Sequence, residues 1–89
     1  MKSKTNWVLQ IDPQVPKTLK KTPANITKRI VTVIESLPND PYTGDIQKMK
    51  GEDNVWRRRS GEYRIFYELL PEESIIHVFR VERRTLTTY

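Results

Sequence analysis

Ile26, Ile30, Val33, Ile34 and Leu37 recur at the three- and four-residue spacing that lines one face of an α-helix, so residues 24–37 form a helix that needs an apolar surface to cover. That surface is a sheet, because beyond Val55 the chain turns to strand character in three successive segments: residues 55–60, 62–70 and, after a turn at Pro71-Glu72-Glu73, 74–82. Within the middle segment Tyr63, Ile65, Tyr67 and Leu69 fall on one face and Arg64, Phe66, Glu68 and Leu70 on the other. Upstream, residues 6–11 alternate Trp7, Leu9 and Ile11 against mostly polar neighbours, which predicts a short strand with one buried face. Asp12-Pro13 supplies an N-cap and a first-turn proline for a short helix over residues 13–21, weakened by Pro16 and closed before Pro23. Pro38-Asn39-Asp40-Pro41 ends the second helix, and a polar loop is expected through Gly44 to about Gln47. The order β-α-α-β-β-β predicts an α+β fold, two N-terminal helices packed on one face of a small, largely antiparallel sheet.

At 89 residues, the chain is expected to be a single domain over residues 1–89, too small for two cores. The absence of cysteine excludes disulfides and thiolate metal sites, and a single His argues against a protein-built zinc site, so no metal or small-molecule cofactor is expected. No apolar run approaches the roughly 18 residues of a membrane span, and the stretch from Trp7 to Ile11 stops too soon for a signal peptide. A cytoplasmic protein without membrane association is the expectation.

The net charge of +5 is unevenly placed: residues 48–64 carry six basic against three acidic groups, residues 80–89 three against one, and residues 65–79 none against three. Such basic clusters suit an anionic partner, nucleic acid or an acidic protein, and are equally compatible with a solvated face. Strand alternation decides which cations can act together. Arg57 and Arg59 share one side of their strand, with Trp56, Arg58 and Ser60 on the other. If Trp56 packs on the helices with Tyr63, Ile65 and Tyr67, then Arg57, Arg59 and Arg64 project from the open face, where their planar forks match phosphate oxygens. Phe66 lies on that same face, where it can support a base or a partner's side chain. Trp7, Trp56, Tyr63 and Tyr67 read as core, and Lys17, Lys20, Lys21 and Lys28 as solvation of the helices. His77 alternates with Ile75, Phe79 and Val81 and so reads as a packed strand residue rather than a general base.

The run Lys48-Met49-Lys50-Gly51, followed by Trp56-Arg57-Arg58-Arg59-Ser60-Gly61-Glu62-Tyr63-Arg64-Ile65-Phe66-Tyr67, resembles the hallmark of the RelE/ParE superfamily of toxin–antitoxin toxins, K-L-K-G and then W-R-x-R-x-G-x-Y-R-x-x-Y. The superfamily holds both ribosome-dependent mRNA endonucleases of the RelE type and gyrase inhibitors of the ParE type. The cationic run tilts the reading to RNA, because a gyrase binder does not need a convergent cationic site. The RelE resemblance implies metal-independent attack of a ribose 2′-OH on the adjacent phosphate in the ribosomal A site, which stops translation. It makes Arg57, Arg59 and Arg64 the phosphate and transition-state cluster, and Lys48 and Lys50 backbone-contacting or RNA-binding lysines.

The C-terminal Val81-Glu82-Arg83-Arg84 resembles the family's V-G-H-R run. That alignment makes Arg84 the catalytic arginine and puts Arg83, an RNA-binding position, where a His often stands; anchoring on Tyr89 selects Arg83 instead. Tyr89 corresponds to the late tyrosine that stacks on a substrate base in RelE. Three positions depart from the pattern: Arg58 stands where relatives have an apolar residue, Glu82 replaces a glycine, and the single His is at 77 rather than beside Arg84. The partners implied are a cognate antitoxin that folds over the toxin, the ribosome and mRNA. The alternatives are a ParE-like gyrase-inhibiting toxin and a catalytically weak basic interaction domain.

Overall fold

A computed structural model describes residues 7–83, from Trp7 to Arg83. The elements run β1 (Val8–Ile11), α1 (Gln14–Lys20), α2 (Ala24–Ser36), β2 (Ile46–Lys48), β3 (Val55–Ser60), β4 (Tyr63–Leu70) and β5 (Ile75–Arg83). They build one five-stranded sheet in the order β1-β5-β4-β3-β2, antiparallel except where β1 runs parallel to β5. The expected α+β class holds, with one addition. The loop expected through Gln47 contains the short strand β2, whose three residues pair Ile46 with Arg58, Gln47 with Arg57 and Lys48 with Trp56. Its sequence carries no alternating apolar pattern, because an edge strand this short takes its backbone partners from β3 and buries little of its own.

Asp12 starts α1 by accepting the Gln14 N–H on its carboxylate at 2.8 Å, as the Asp-Pro pair predicts. Helix α1 buries only Val15, whereas α2 buries Ile30 and Ile34, followed by Leu37 at its C-terminal end. These residues meet Ile65, Tyr67, Leu69, Ile76, Val78 and Val81 from the sheet in one buried cluster, flanked by Trp7, Leu9 and Trp56. Ile11, expected on the buried face of the first strand, is instead 40% exposed, because β1 is an edge strand that ends there.

Tyr67 ties the loop after α2 to the middle of the sheet: its phenol donates to the Pro41 carbonyl at 2.6 Å. Burial pushes its pKa up from 10.0 to about 12, with the nearby Arg58 charge opposing the rise. The folded chain therefore favours the protonated phenol, and the stability this confers is intact below pH 10 and lost as pH rises toward about 12. Tyr67→Phe leaves the Pro41 carbonyl without this donor and is expected to cost about 1–3 kcal/mol at neutral pH. Urea unfolding at pH 9 and pH 11 checks the sign: the gap between wild type and variant should narrow by about 1 kcal/mol at the higher pH. An unchanged gap means that the phenol does not resist ionisation.

A β-bulge corrects the reading of the last strand. Phe66 pairs with Arg80 but Tyr67 pairs with Val78, so Phe79 is an extra residue in β5. Strict alternation puts His77 and Val81 on one face. The extra residue instead sends Val81 into the core at 3% exposure and turns His77 to the opposite face beside Glu68. His77 is thus packed on the open face, against Phe79 and Glu68, and not on the face of Val81.

Candidate active site

Paired residues on adjacent antiparallel strands share a face. The pairs Trp56–Tyr67, Arg58–Ile65 and Ser60–Tyr63 therefore look toward the helices, and Arg57–Phe66 and Arg59–Arg64 look away from them. The helices cover one side of the sheet, and the other displays Arg57, Arg59 and Arg64 around a concavity of about 240 Å³ completed by Asp45 and Gln47. The three arginines expected to act together are together.

Each guanidinium is held by a side chain of its own chain. Arg57 donates to Gln47 Oε1, Arg59 reaches Asp45 Oδ2 at 3.0 Å, and Arg64 lies 3.8 Å from Glu82 Oε2. The other Glu82 oxygen takes Arg80 at 2.8 Å, so one carboxylate bridges two arginines. Glu82 and Asp45 relieve the repulsion within the cluster and fix the direction of the forks, although partly exposed pairs of this kind contribute little stability. A phosphate entering the concavity competes with Glu82 for the same donors. Glu82→Gln is accordingly expected to tighten binding of a short single-stranded RNA by up to about fivefold, the equivalent of about 1 kcal/mol for a partly exposed pair. Equal or weaker RNA binding by the variant, measured by fluorescence anisotropy at fixed salt, contradicts a competing role.

Lys50 borders a second concavity on the open face, next to the arginines. Lys48 does not join it, because it pairs with Trp56 and so belongs to the helix side at the sheet edge. Arg83 pairs with Tyr63, also on the helix side, where it donates to Glu62 Oε1 at 3.1 Å and borders a cleft with Arg29 and Pro23. The odd position of 83 relative to Glu82 carries it away from Arg64. Arg84 and Tyr89 lie outside the described residues.

Arg58, the cation at an otherwise apolar position, packs its stem on the helix side and extends its guanidinium beneath the loop after α2, donating to the Thr43 carbonyl at 3.3 Å. Gly44 makes room for it: φ is +92°, and a Cβ there would lie 2.5 Å from Arg58 Cζ. Arg80 is the cation that sequence reasoning missed. It lies over the Phe66 ring, its Cζ 5.7 Å from the centroid. Plain alternation back from Val81 already puts Arg80 on the open face, because the bulge at Phe79 breaks the phase only for the residues before it, so the signal was present in the sequence. Among the described residues no group of three His, Asp or Glu side chains is placed to hold a metal ion, and no helix is long and apolar enough to cross a membrane.

A half-covered sheet with an arginine-lined open face defines a class that comparison with known proteins makes specific. Residues 9–85 match the family described as the ParE toxin of type II toxin–antitoxin systems, parDE. A Methanocaldococcus jannaschii protein named as toxin RelE1 is 34% identical over 79 residues, which cover 85% of this chain and 88% of that one. The RelE–RelB complex of Pyrococcus horikoshii OT3 superposes with a TM-score of 0.79 at 23% identity, over 92% of this chain and 99% of that chain. The RelB–RelE antitoxin–toxin complex from Methanococcus jannaschii gives 0.71 at 34% identity, over 84% of this chain and 90% of that one. This chain belongs to the ParE toxin family of type II toxin–antitoxin systems, on the RelE branch of the RelE/ParE superfamily.

Proposed function

We propose that this toxin is a ribosome-dependent endoribonuclease that cleaves mRNA in the A site and so stops translation. The observation that carries the reading is the convergence of Arg57, Arg59 and Arg64 around one concavity on the open face. Cleavage by the neighbouring 2′-OH needs an acceptor for its proton, cations for the charge that builds on the phosphorane, and a proton for the departing 5′ oxygen. Guanidinium forks suit the second task, because they remain charged and present two parallel donors to two phosphate oxygens. Arg57 and Arg59 hold the phosphate before and during reaction, and Arg64, at the middle strand, meets the charge that develops. Arg84 assists the leaving group and Tyr89 stacks on a base. Lys50 contacts the backbone beside the cluster. Lys48 and Arg83 are directed to the other side of the sheet and serve at most peripheral attraction to RNA.

The same face suits a protein inhibitor. Relatives from Pyrococcus horikoshii and Methanococcus jannaschii were solved with RelB, and we assign this chain a cognate antitoxin that covers its cationic, partly apolar sheet. Acidic residues on that partner would make association salt-sensitive. Action on translating ribosomes places the toxin in the cytoplasm.

Induction of the chain alone tests the reading. Protein synthesis should stop while DNA supercoiling continues, and growth should recover when the adjacent antitoxin is co-expressed. Continued synthesis with inhibited supercoiling would instead establish the gyrase-directed alternative.

A further inference from the structure

Beside the arginine concavity, the open face holds a larger one of about 560 Å³ whose walls include Lys50, Phe66, Glu68, His77, Phe79 and Arg80. Phe66 is only 8% exposed yet lies on the face away from the helices, where Phe79 packs at 6.3 Å between ring centroids and Arg80 covers it. His77 joins the same wall, its ring 6.0 Å from Phe79 and its Nδ1 3.5 Å from Glu68 Oε1. Aromatic rings and a guanidinium thus stand next to the Glu68 carboxylate and the His77 imidazole, about a third exposed at 39% and 33%, with Glu52 a second carboxylate in the lining but not paired with the histidine. None of these groups is needed to hold a phosphate.

We infer that this cavity is a nucleobase subsite, selective for a base that carries an exocyclic amino group. The assignment rests on the RNA-cleaving reading above and adds to it which part of the nucleotide is read. Phe66 pairs with Arg57 and Glu68 with Val55, so the Glu68–His77 row lies two residues along the strand, about 7 Å, from the row that holds the phosphate cluster. A nucleotide seated on Arg57 by its phosphate reaches the cavity with its base. Unpaired bases stack on aromatic and guanidinium planes, and Phe79 and Arg80 provide them. Stacking alone does not discriminate. The Glu68 carboxylate only accepts hydrogen bonds when ionised, so it attracts the amino groups of adenine, cytosine or guanine and repels the two carbonyls that flank the single donor of uracil. The imidazole of His77 can donate or accept at the adjoining ring position.

His77 is the only histidine of the chain, so its imidazole NMR signals report occupancy of this cavity without assignment ambiguity. The full chain is titrated with 2′-O-methyl trinucleotides, which cannot be cleaved, carrying adenine, cytosine, uracil or no base at the central position. Adenine and cytosine should shift the His77 signals saturably, and bind at least about fivefold more tightly than uracil. Glu68→Gln, whose amide can also donate to a carbonyl, should erase that preference while leaving binding of the abasic trinucleotide unchanged. The subsite is overturned if the abasic trinucleotide moves His77 as far as the base-bearing ones, if no trinucleotide moves it, or if uracil binds as tightly as adenine. A toxin that cuts mRNA on ribosomes with the same codon profile before and after Glu68→Gln keeps the nuclease reading and removes the subsite. One that shows the base preference but cuts nothing keeps the subsite and removes the nuclease reading.

Discussion

Arg64→Ala is expected to lower the single-turnover rate of mRNA cleavage on saturated ribosomes by about 10²-fold or more, while affinity for the ribosome changes far less. Arg64 sits on the central strand, its side chain only 28% exposed, across from Arg59 on β3 and Glu82 on β5. Its guanidinium is aimed before substrate arrives, so its interaction with the developing charge needs little reorganisation at the moment of reaction. Arg64→Lys should restore only part of the rate, since a point ammonium cannot reproduce two parallel donors in one plane. Arg84→Ala carries the same expectation. Lys20→Ala, on the last turn of α1, should do the reverse and weaken salt-dependent binding with little change in the saturated rate. Wild-type rates at saturation for both Arg64→Ala and Arg84→Ala would reduce the arginine face to a binding surface.

Ile65→Ala is expected to destabilise the fold by about 2–5 kcal/mol, a large share of the 5–15 kcal/mol typical of a domain. Ile65 is fully buried on the central strand, pairs with Arg58 and Val81, and belongs to the cluster that includes Ile30 and Ile34 of α2. Its truncation leaves a cavity where sheet and helix meet, and the surrounding β-branched side chains have few rotamers with which to fill it. Val8→Ala makes the contrast, because Val8 is 55% exposed on an edge strand and should cost less than about 0.5 kcal/mol. Urea unfolding at neutral pH measures both. A loss below about 1 kcal/mol for Ile65→Ala would mean that the sheet and α2 do not share this core.

The helix stripe and the alternation in residues 63–70 were legible because each buries one face, and burial imposes its period on the sequence. That alternation also carried the site: once Tyr63, Ile65 and Tyr67 face the helices, Arg57, Arg59 and Arg64 must face away, as they do. Strand β2 left no such trace, because Ile46–Lys48 pairs at the edge through backbone groups that any residue supplies. The bulge at Phe79 was illegible for another reason. It changes the phase of the alternation without changing the residue types, so His77 read as a packed residue on the face of Val81, whereas it lies on the opposite one. The same phase rule explains why Lys48 and Arg83, basic and close in sequence to the cluster, look to the other side of the sheet. Resemblance supplied what alternation could not, membership of a toxin–antitoxin toxin superfamily, and the family match bears that membership out.

The most direct test maps the ends of mRNA after the toxin meets ribosomes stalled with a defined codon in the A site. Cleavage confined to that codon, dependent on the ribosome and leaving a 2′,3′-cyclic phosphate on one fragment and a 5′-hydroxyl on the other, is the expected result. Intact mRNA on those ribosomes, or cuts at the same sites when the ribosome is omitted, would contradict it.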